Sequence, residues 1–589
     1  MSSVADSYPS ASEAACASLL VLMAGLLVGA NLGWFFGRHL FGISALVLGL
    51  ALALILCLTS TYGHSTTVSG GRSMNALLLL GSALAVSLLP ALTVHDYSYD
   101  GQEYHLQAVR ILVEGWNPLG SEQFRGMHEL WVNGYAKGPW TWAAVLSQVL
   151  GSDEAGKSLN ILAACAGGLS VYSLLYDELS FGRRAAVGAA ILSAANPVLA
   201  YQWATNLNDS IIGSLILVAL SRQMALLLRQ ERGTAIKSAL LHLSLGSAIS
   251  LLVSTKLSGS AYGLMLGFIG VVSLALLGHW RAARAVAGSV TSGLLIGVFV
   301  LGWNPYVTNS VQHGHPFYPL YGTGKVDIIT SNRPVGVEEV SRVGQLWRSV
   351  FSESHSELER DRASAFRPKW PGTFTLKELK LFVAKTDMRI GGFGPLYSLA
   401  VVLGCVAFVL TVAERLRGRK LCLAFFIPVT VVFMSSIFPE PWWARYVPQM
   451  ALLPLALAGA ASCVKGRWVR GLGIATWSVA AVNSTLVIAL FLSGLTVREL
   501  DSREQIGSLA RISVAYGPIA VDWGRSPALA KRFDDYGVRW RPPISDEPCA
   551  RWISLHQSSV RVCLPQDSDS NYRDESAWAK GVKVRVLGN

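Results

Sequence analysis

The chain has 589 residues, of which 52% are hydrophobic and only 15% charged, with a formal net charge of +12 and a mean hydropathy of +0.41. A soluble domain carries about 25% charged residues, so this composition excludes a soluble globular protein and predicts an all-α polytopic membrane protein. The positive charge is spread over short connections and matches topology and headgroup contact, so no nucleic-acid partner is expected.

Runs of about 18 or more apolar residues are long enough to cross a ~30 Å hydrocarbon core as helices. In chain order they fall at 16–36, 40–60, 74–93, 158–180, 184–202, 208–228, 237–254, 260–279, 284–303, 394–416, 420–437, 448–464 and 471–494. That makes about thirteen predicted spans. The tail ahead of the first has no Lys or Arg and no clean cleavage pattern, so no signal peptide is expected.

Basic residues collect at Arg183 and Arg184, at Arg222, Arg229, Arg232 and Lys237, at Arg281 and Arg284, from Arg415 to Lys420, and from Lys465 to Arg470. With the predicted spans these all lie on one face, which the positive-inside rule makes cytoplasmic. The N-terminus is then inside and the C-terminus outside.

The opposite face collects the residues suited to chemistry. The loop HDYSYDGQEYH, His95 to His105, places Asp96, Asp100, Glu103 and two histidines beside a span end. Carboxylates there are costly unless they face water or a partner. Asp100 is the first candidate general base, with Asp96, Glu103 and His105 beside it and Tyr104 as a substrate contact. The plainer reading is that Asp96 and Asp100 cap a helix starting near Gly101.

Four cations share this face: Lys137 in GYAKGPW, Lys256 in STKLSG, Arg389 in MRIGGFG and Arg445 in WWARY. One or two would suffice to hold a phosphate, while snorkelling at the interface explains any single one. Asn206 and Asp209 open the sixth span and suit sugar hydroxyls, although Asp209 also reads as an N-cap. His313 and His315 suit a phosphate, a substrate or a metal, or a turn set by Gly314 and Pro316. No Cys/His set has zinc spacing.

The domain reading is a membrane body over 1–494, with outer loops 94–157 and 304–393, followed by an outer α/β domain over 495–589. Interfacial helices are expected at 376–385 and 141–150. In the tail, 517–523, WISL, VRVCL and VKVRVL read as strands, and 526–537 as a helix stopped by Gly537. Cys549 and Cys563 lie in this tail, where an oxidising compartment permits a disulfide; the other six cysteines sit in or beside spans.

Asp100-x-x-x-Tyr104-His105 followed by GWNPL resembles the first outer loop of GT-C fold glycosyltransferases. GYAKGPW, NPVLAYQWATNLND, STKLSG, GWNPYVTN, GHPFYPLYG, RIGGFGPL and PWWARYVPQ extend that resemblance over roughly 80 to 480, leaving the tail uncovered. The family's acidic loop usually follows the first span, whereas here it follows the third. The resemblance implies a bacterial inner-membrane enzyme that moves a sugar from a polyprenyl-phosphate donor to a glycan or lipid acceptor on the outer face, with inversion. It carries the catalytic acid residue onto Asp100, with Asp96 as alternate, and the phosphate-holding role onto Arg445 and Lys256. No cofactor is specified, and a divalent metal is compatible. Two other classes remain: an outer-face polymerase or ligase using a lipid-diphosphate oligosaccharide, and a lipid-linked-glycan transporter.

Overall fold

The structure, a computed structural model, describes residues 8–37, 39–61, 66–229, 235–328, 332–356, 366–414, 419–462, 464–544, 549, 551–566, 568, 572–576 and 579–580. Among them, nine helices are long and apolar enough to cross a membrane: Ala11–Phe35, Gly42–Thr61, Gly70–Thr93, Asp153–Glu178, Asp209–Leu228, Ile236–Thr255, Leu257–Leu276, Trp280–Leu301 and Arg467–Ala515. The chain is a multi-pass membrane protein on that ground.

Thirteen is not reached by length. The other four predicted spans appear as shorter helices: Arg183–Ala194, Tyr397–Ala413, Ala424–Ile437 and Pro448–Ala461. Proline accounts for part of this. The Arg183–Ala194 helix stops ahead of Asn196-Pro197, and the Asn196 side chain caps the next short turn by accepting from Leu199 N at 3.2 Å. The Arg419–Ile437 helix, by contrast, runs on through Pro428.

In a bilayer, helix pairing depends on close backbone approach more than on apolar burial. The first two helices meet through small residues four apart on each side, Gly25 and Gly29 against Ala45 and Gly49. A Cβ on Gly29 would lie 2.9 Å from Ala45 Cα, and one on Gly49 would lie 2.8 Å from Leu22 O. At the bundle end remote from the 95–105 loop, Arg229 ties the first helix to the Asp209–Leu228 helix, donating to Glu13 Oε1 at 2.6 Å and to Glu178.

The segment 376–385 forms the helix Leu376–Ala384, capped by Thr375. It buries Phe382 and Val383, while Glu378 turns inward onto Lys369 at 2.6 Å. The segment 141–150 lies in the helix Gly138–Leu150, whose residues from Gly138 to Ser147 are buried in the body; it is a packed element, not a surface one.

The helix Arg467–Ala515 runs 49 residues without a break, across position 495 and into the tail. There its residues Ile506, Leu509 and Ile512 pack into a core shared with a small sheet. The strands are β1 (Ile519–Asp522), β2 (Trp540–Arg541), β3 (Arg551–Ser554) and β4 (Arg561–Leu564), in the order β2-β1-β4-β3. Among the described strands, only β1 and β2 run parallel. The predicted 526–537 helix resolves into Pro527–Leu529 and Ala530–Asp535, followed by Gly537 at φ +70°. Cys549 and Cys563 are disulfide-bonded. The expected VKVRVL strand, Arg232, most of the 415–420 run and Cys463 lie outside the described residues.

Candidate active site

Five chain segments converge at one end of the bundle. The Gly70–Thr93 helix ends just before the loop carrying Asp100, and Asp209 is the first residue of its helix. Lys256 is a single extended residue breaking the chain between two long helices. Asp387 and Arg389 precede the Tyr397–Ala413 helix, and Arg445 sits in a tight turn, Ala444–Tyr446. The last two segments are tied by a hydrogen bond from Ala444 N to Arg389 O of 2.9 Å.

Arg445 is the centre. Its Nη2 donates to Asp100 Oδ2 at 3.1 Å, its Nη1 lies 3.5 Å from Asp387 Oδ2, and its Nε lies 3.7 Å from Asp209 Oδ2. Lys256 Nζ takes the other Asp209 oxygen at 2.5 Å. The guanidiniums of Arg389 and Arg445 lie 4.4 and 4.2 Å from the Trp443 ring centre, and Lys256 lies 4.8 Å from that of Tyr446. Three carboxylates thus face three cations, with aromatic faces behind the cations. The cluster is graded in exposure: Asp209 and Arg445 side chains are 8% and 12% exposed, while Asp100, Asp387 and Lys256 are 23–28% exposed.

Electrostatics divide the loop residues. Asp100 forms no side-chain cap, which removes the plainer reading of it. Burial pushes its carboxyl up, but the neighbouring cations together, Arg445 foremost, outweigh that and hold it below its ordinary value. His105 is buried, and burial takes its ring down to about 3 despite the Asp100 carboxylate. Its Nδ1 accepts from Trp140 Nε1 at 2.7 Å, so the neutral ring carries its proton on Nε2. The Tyr104 ring packs at a tilt 4.3 Å from His105 and 5.9 Å from Trp131; burial and Asp100 keep its hydroxyl protonated.

Asp96 is fully buried and its two oxygens are engaged. Oδ1 accepts from Ser98 N and Oγ, both at 2.7 Å, and Oδ2 accepts from Asn206 N at 2.7 Å and Nδ2 at 3.1 Å. Asn206 is therefore spent on anchoring this loop. A Cβ on Gly101 would overlap Asp96 Oδ2 and Ser98 Oγ. We expect Gly101→Ala to break this knot, at a cost of about 1–3 kcal/mol by the usual scale of overpacking. Thermal unfolding in detergent reads the effect, and an unchanged midpoint would mean the loop is held by other contacts.

Glu103 is a docking residue for the tail: Arg525 Nε donates to its Oε2 at 2.8 Å. Nearby, Gln102 Nε2 donates to Gln557 O at 2.7 Å, and Arg532 donates to Glu154 at 2.7 Å and to Asp96 O at 3.4 Å. His95 and Tyr97 both hold Glu499 of the long helix. The tail is thus built onto the back of the loop that carries Asp100.

Lys137 does not join the cluster through any described ion pair. Its ammonium is buried against the carbonyls of Asn133, at 3.1 Å, and Tyr135, and burial draws its proton affinity well down. His313 stacks on Tyr318 with ring centres 3.8 Å apart, and His315 Nδ1 accepts from Phe317 N at 3.1 Å; both serve the turn. Among the described residues, no group of three or more His, Cys, Asp or Glu has metal-holding geometry. Asp387, Trp443 and Tyr446 are members of the cluster that the motif reading passes over. Asp387 stands two residues before Arg389, and that short spacing was the available signal.

No family model matches the chain, and no curated protein matches it. Among solved structures, the chain is similar to the crystal structure of ArnT from Cupriavidus metallidurans in the apo state. The two are 14% identical over 77% of this chain and 82% of that one, with a TM-score of 0.43.

Proposed function

We propose that the chain is a membrane glycosyltransferase of GT-C type, taking a sugar from a polyprenyl-phosphate donor and passing it to a glycan or lipid hydroxyl on the extracytoplasmic face. The observation that carries this reading is the Arg445 hub, where a guanidinium at the ends of membrane helices holds Asp100 on a solvent-reaching side. Arginine's planar fork matches phosphate as well as carboxylate. A donor phosphate arriving from the bilayer competes for Arg445 Nη2, with Lys256 and Arg389 adjoining. Once Arg445 turns to the phosphate, Asp100 loses the contact that depresses its basicity. It then accepts the acceptor hydroxyl's proton while that oxygen attacks the anomeric carbon and the lipid phosphate leaves. His105, neutral and bonded to Trp140, positions the loop and takes no part in the proton transfer. The body over 1–494 holds the donor, and the tail over 495–589 braces the catalytic loop. In this scheme the N-terminus is cytoplasmic and the tail extracytoplasmic.

The test is retention and turnover of a panel of polyprenyl monophosphate and diphosphate sugars by the detergent-purified protein, read by native mass spectrometry. Selective turnover of one monophosphate sugar is the expected result. A strict diphosphate requirement would shift the reading to a polymerase or ligase. Failure to bind any lipid-linked sugar would overturn it.

A further inference from the structure

Away from the Arg445 cluster, a groove of about 720 Å³ runs along the flank of the helical body. Its walls are the Arg183–Ala194 helix, the Leu453–Ala461 helix and the first half of the Arg467–Ala515 helix. Small side chains make the space: Ala185 and Gly188 on one wall, Gly459 and Gly473 on the others, with Leu192 and Trp477 lining it. Ile191 and Ile474 stand exposed at its edges. From Arg470 to Ile488 the floor rises through five helical turns, about 27 Å at 1.5 Å per residue, which is most of a ~30 Å hydrocarbon core.

The groove is charged at one end. Among the described residues lining it, Arg470 alone is charged, and its Nη2 donates to the Lys465 carbonyl at 3.0 Å. Arg183, Arg184, Lys465 and Arg467 are exposed on the connections at the same end. The carboxylates in those connections are engaged: Glu178 takes Arg229 at 2.6 Å, Asp177 accepts from Ser10 Oγ at 2.7 Å, and Glu414 accepts from Gly466 N at 3.3 Å. An apolar trough spanning most of a hydrocarbon core therefore opens under an excess of positive charge.

We infer that this groove is a binding site for an anionic phospholipid, with one acyl chain in the trough and the headgroup phosphate against Arg470 and its basic neighbours. The charge decides the occupant. Any lipid fills an apolar groove, but basic pockets between membrane helices select anionic headgroups, at about fivefold in affinity per cation near the surface. The inference is independent of the transferase reading, since the groove and the Arg445 cluster share no residue.

Native mass spectrometry of the detergent-purified full chain tests it, with phosphatidylglycerol and phosphatidylcholine of the same acyl chains added as probes. Wild type is expected to retain phosphatidylglycerol preferentially. Arg470→Gln should lower that retention about fivefold and leave phosphatidylcholine unchanged. Gly188→Leu and Gly459→Leu put bulk into the trough from positions where an added Cβ meets nothing within 4 Å. Both variants should lose phosphatidylglycerol while staying monodisperse. Equal retention of the two lipids, no retained lipid in wild type, or undiminished phosphatidylglycerol in the filled variants would overturn the site.

Discussion

Arg445→Ala is expected to be the most destabilising single change at the helix ends, and to move the protein's acid limit upward. The guanidinium is 12% exposed and lies within 3.7 Å of three carboxylates. Its removal leaves Asp100, Asp209 and Asp387 facing Lys256 and Arg389 alone, a net negative cluster of low exposure. Removing one partner of a buried pair typically costs about 3–5 kcal/mol, because the charge left behind is uncompensated. The pH dependence follows from the same contacts. Asp100 titrates below its ordinary value in the folded protein, so its pairing stabilises the fold above that ordinary value, and the contribution fades as pH falls through the depressed one. Without Arg445 the depression is lost, and the stabilisation disappears at higher pH. Thermal unfolding against pH in detergent measures both effects. Arg445→Lys should fall between, since an ammonium supplies charge without the fork that serves three carboxylates. An unchanged midpoint and acid limb in the alanine variant would mean that the cluster is not held by Arg445.

The sequence carries the membrane class of this protein in its composition, and the candidate site residues in the polar groups that punctuate its apolar runs. Asp100, Asp209, Lys256, Arg389 and Arg445 were each legible as polar groups at apolar run ends, and they come together in space. Their pairing was not legible: Asp100 and Arg445 are 345 residues apart, and no periodicity encodes which span ends meet. For the same reason Lys137 looked like the other cations yet points at carbonyls, and Glu103 looked catalytic yet anchors the tail through Arg525. Asp387 was missed because an acid beside an arginine in a loop reads as an ordinary surface pair. The short spans were over-read for a different reason. In the predicted span 184–202 hydropathy persists through Pro197, where the backbone does not continue the helix that ends at Ala194.

Asp100→Asn and Asp96→Asn form a pair whose contrast decides which carboxylate of the loop does chemistry. Both substitutions are nearly isosteric and remove one charge. At Asp96 the charge accepts four hydrogen bonds inside a buried knot, and an amide there must turn donors toward donors from Ser98 or Asn206. The expected loss is in stability, about 1–3 kcal/mol for a buried group left unsatisfied, with residual activity following the folded fraction. At Asp100 the side chain is 28% exposed, and Arg445 Nη2 is its hydrogen-bond donor. An amide oxygen still accepts that bond, without the charge assistance of the carboxylate. The Asn variant should therefore fold, retain the lipid-linked donor and lose turnover by about 10²–10⁴-fold, the usual contribution of a positioned base. Any residual rate should also lack the acid limb that Asp100 protonation imposes on the wild type. Normal turnover in Asp100→Asn, with the loss appearing instead in a well-folded Asp96→Asn, would transfer the base to the buried knot. It would leave Asp100 as a counter-ion for Arg445.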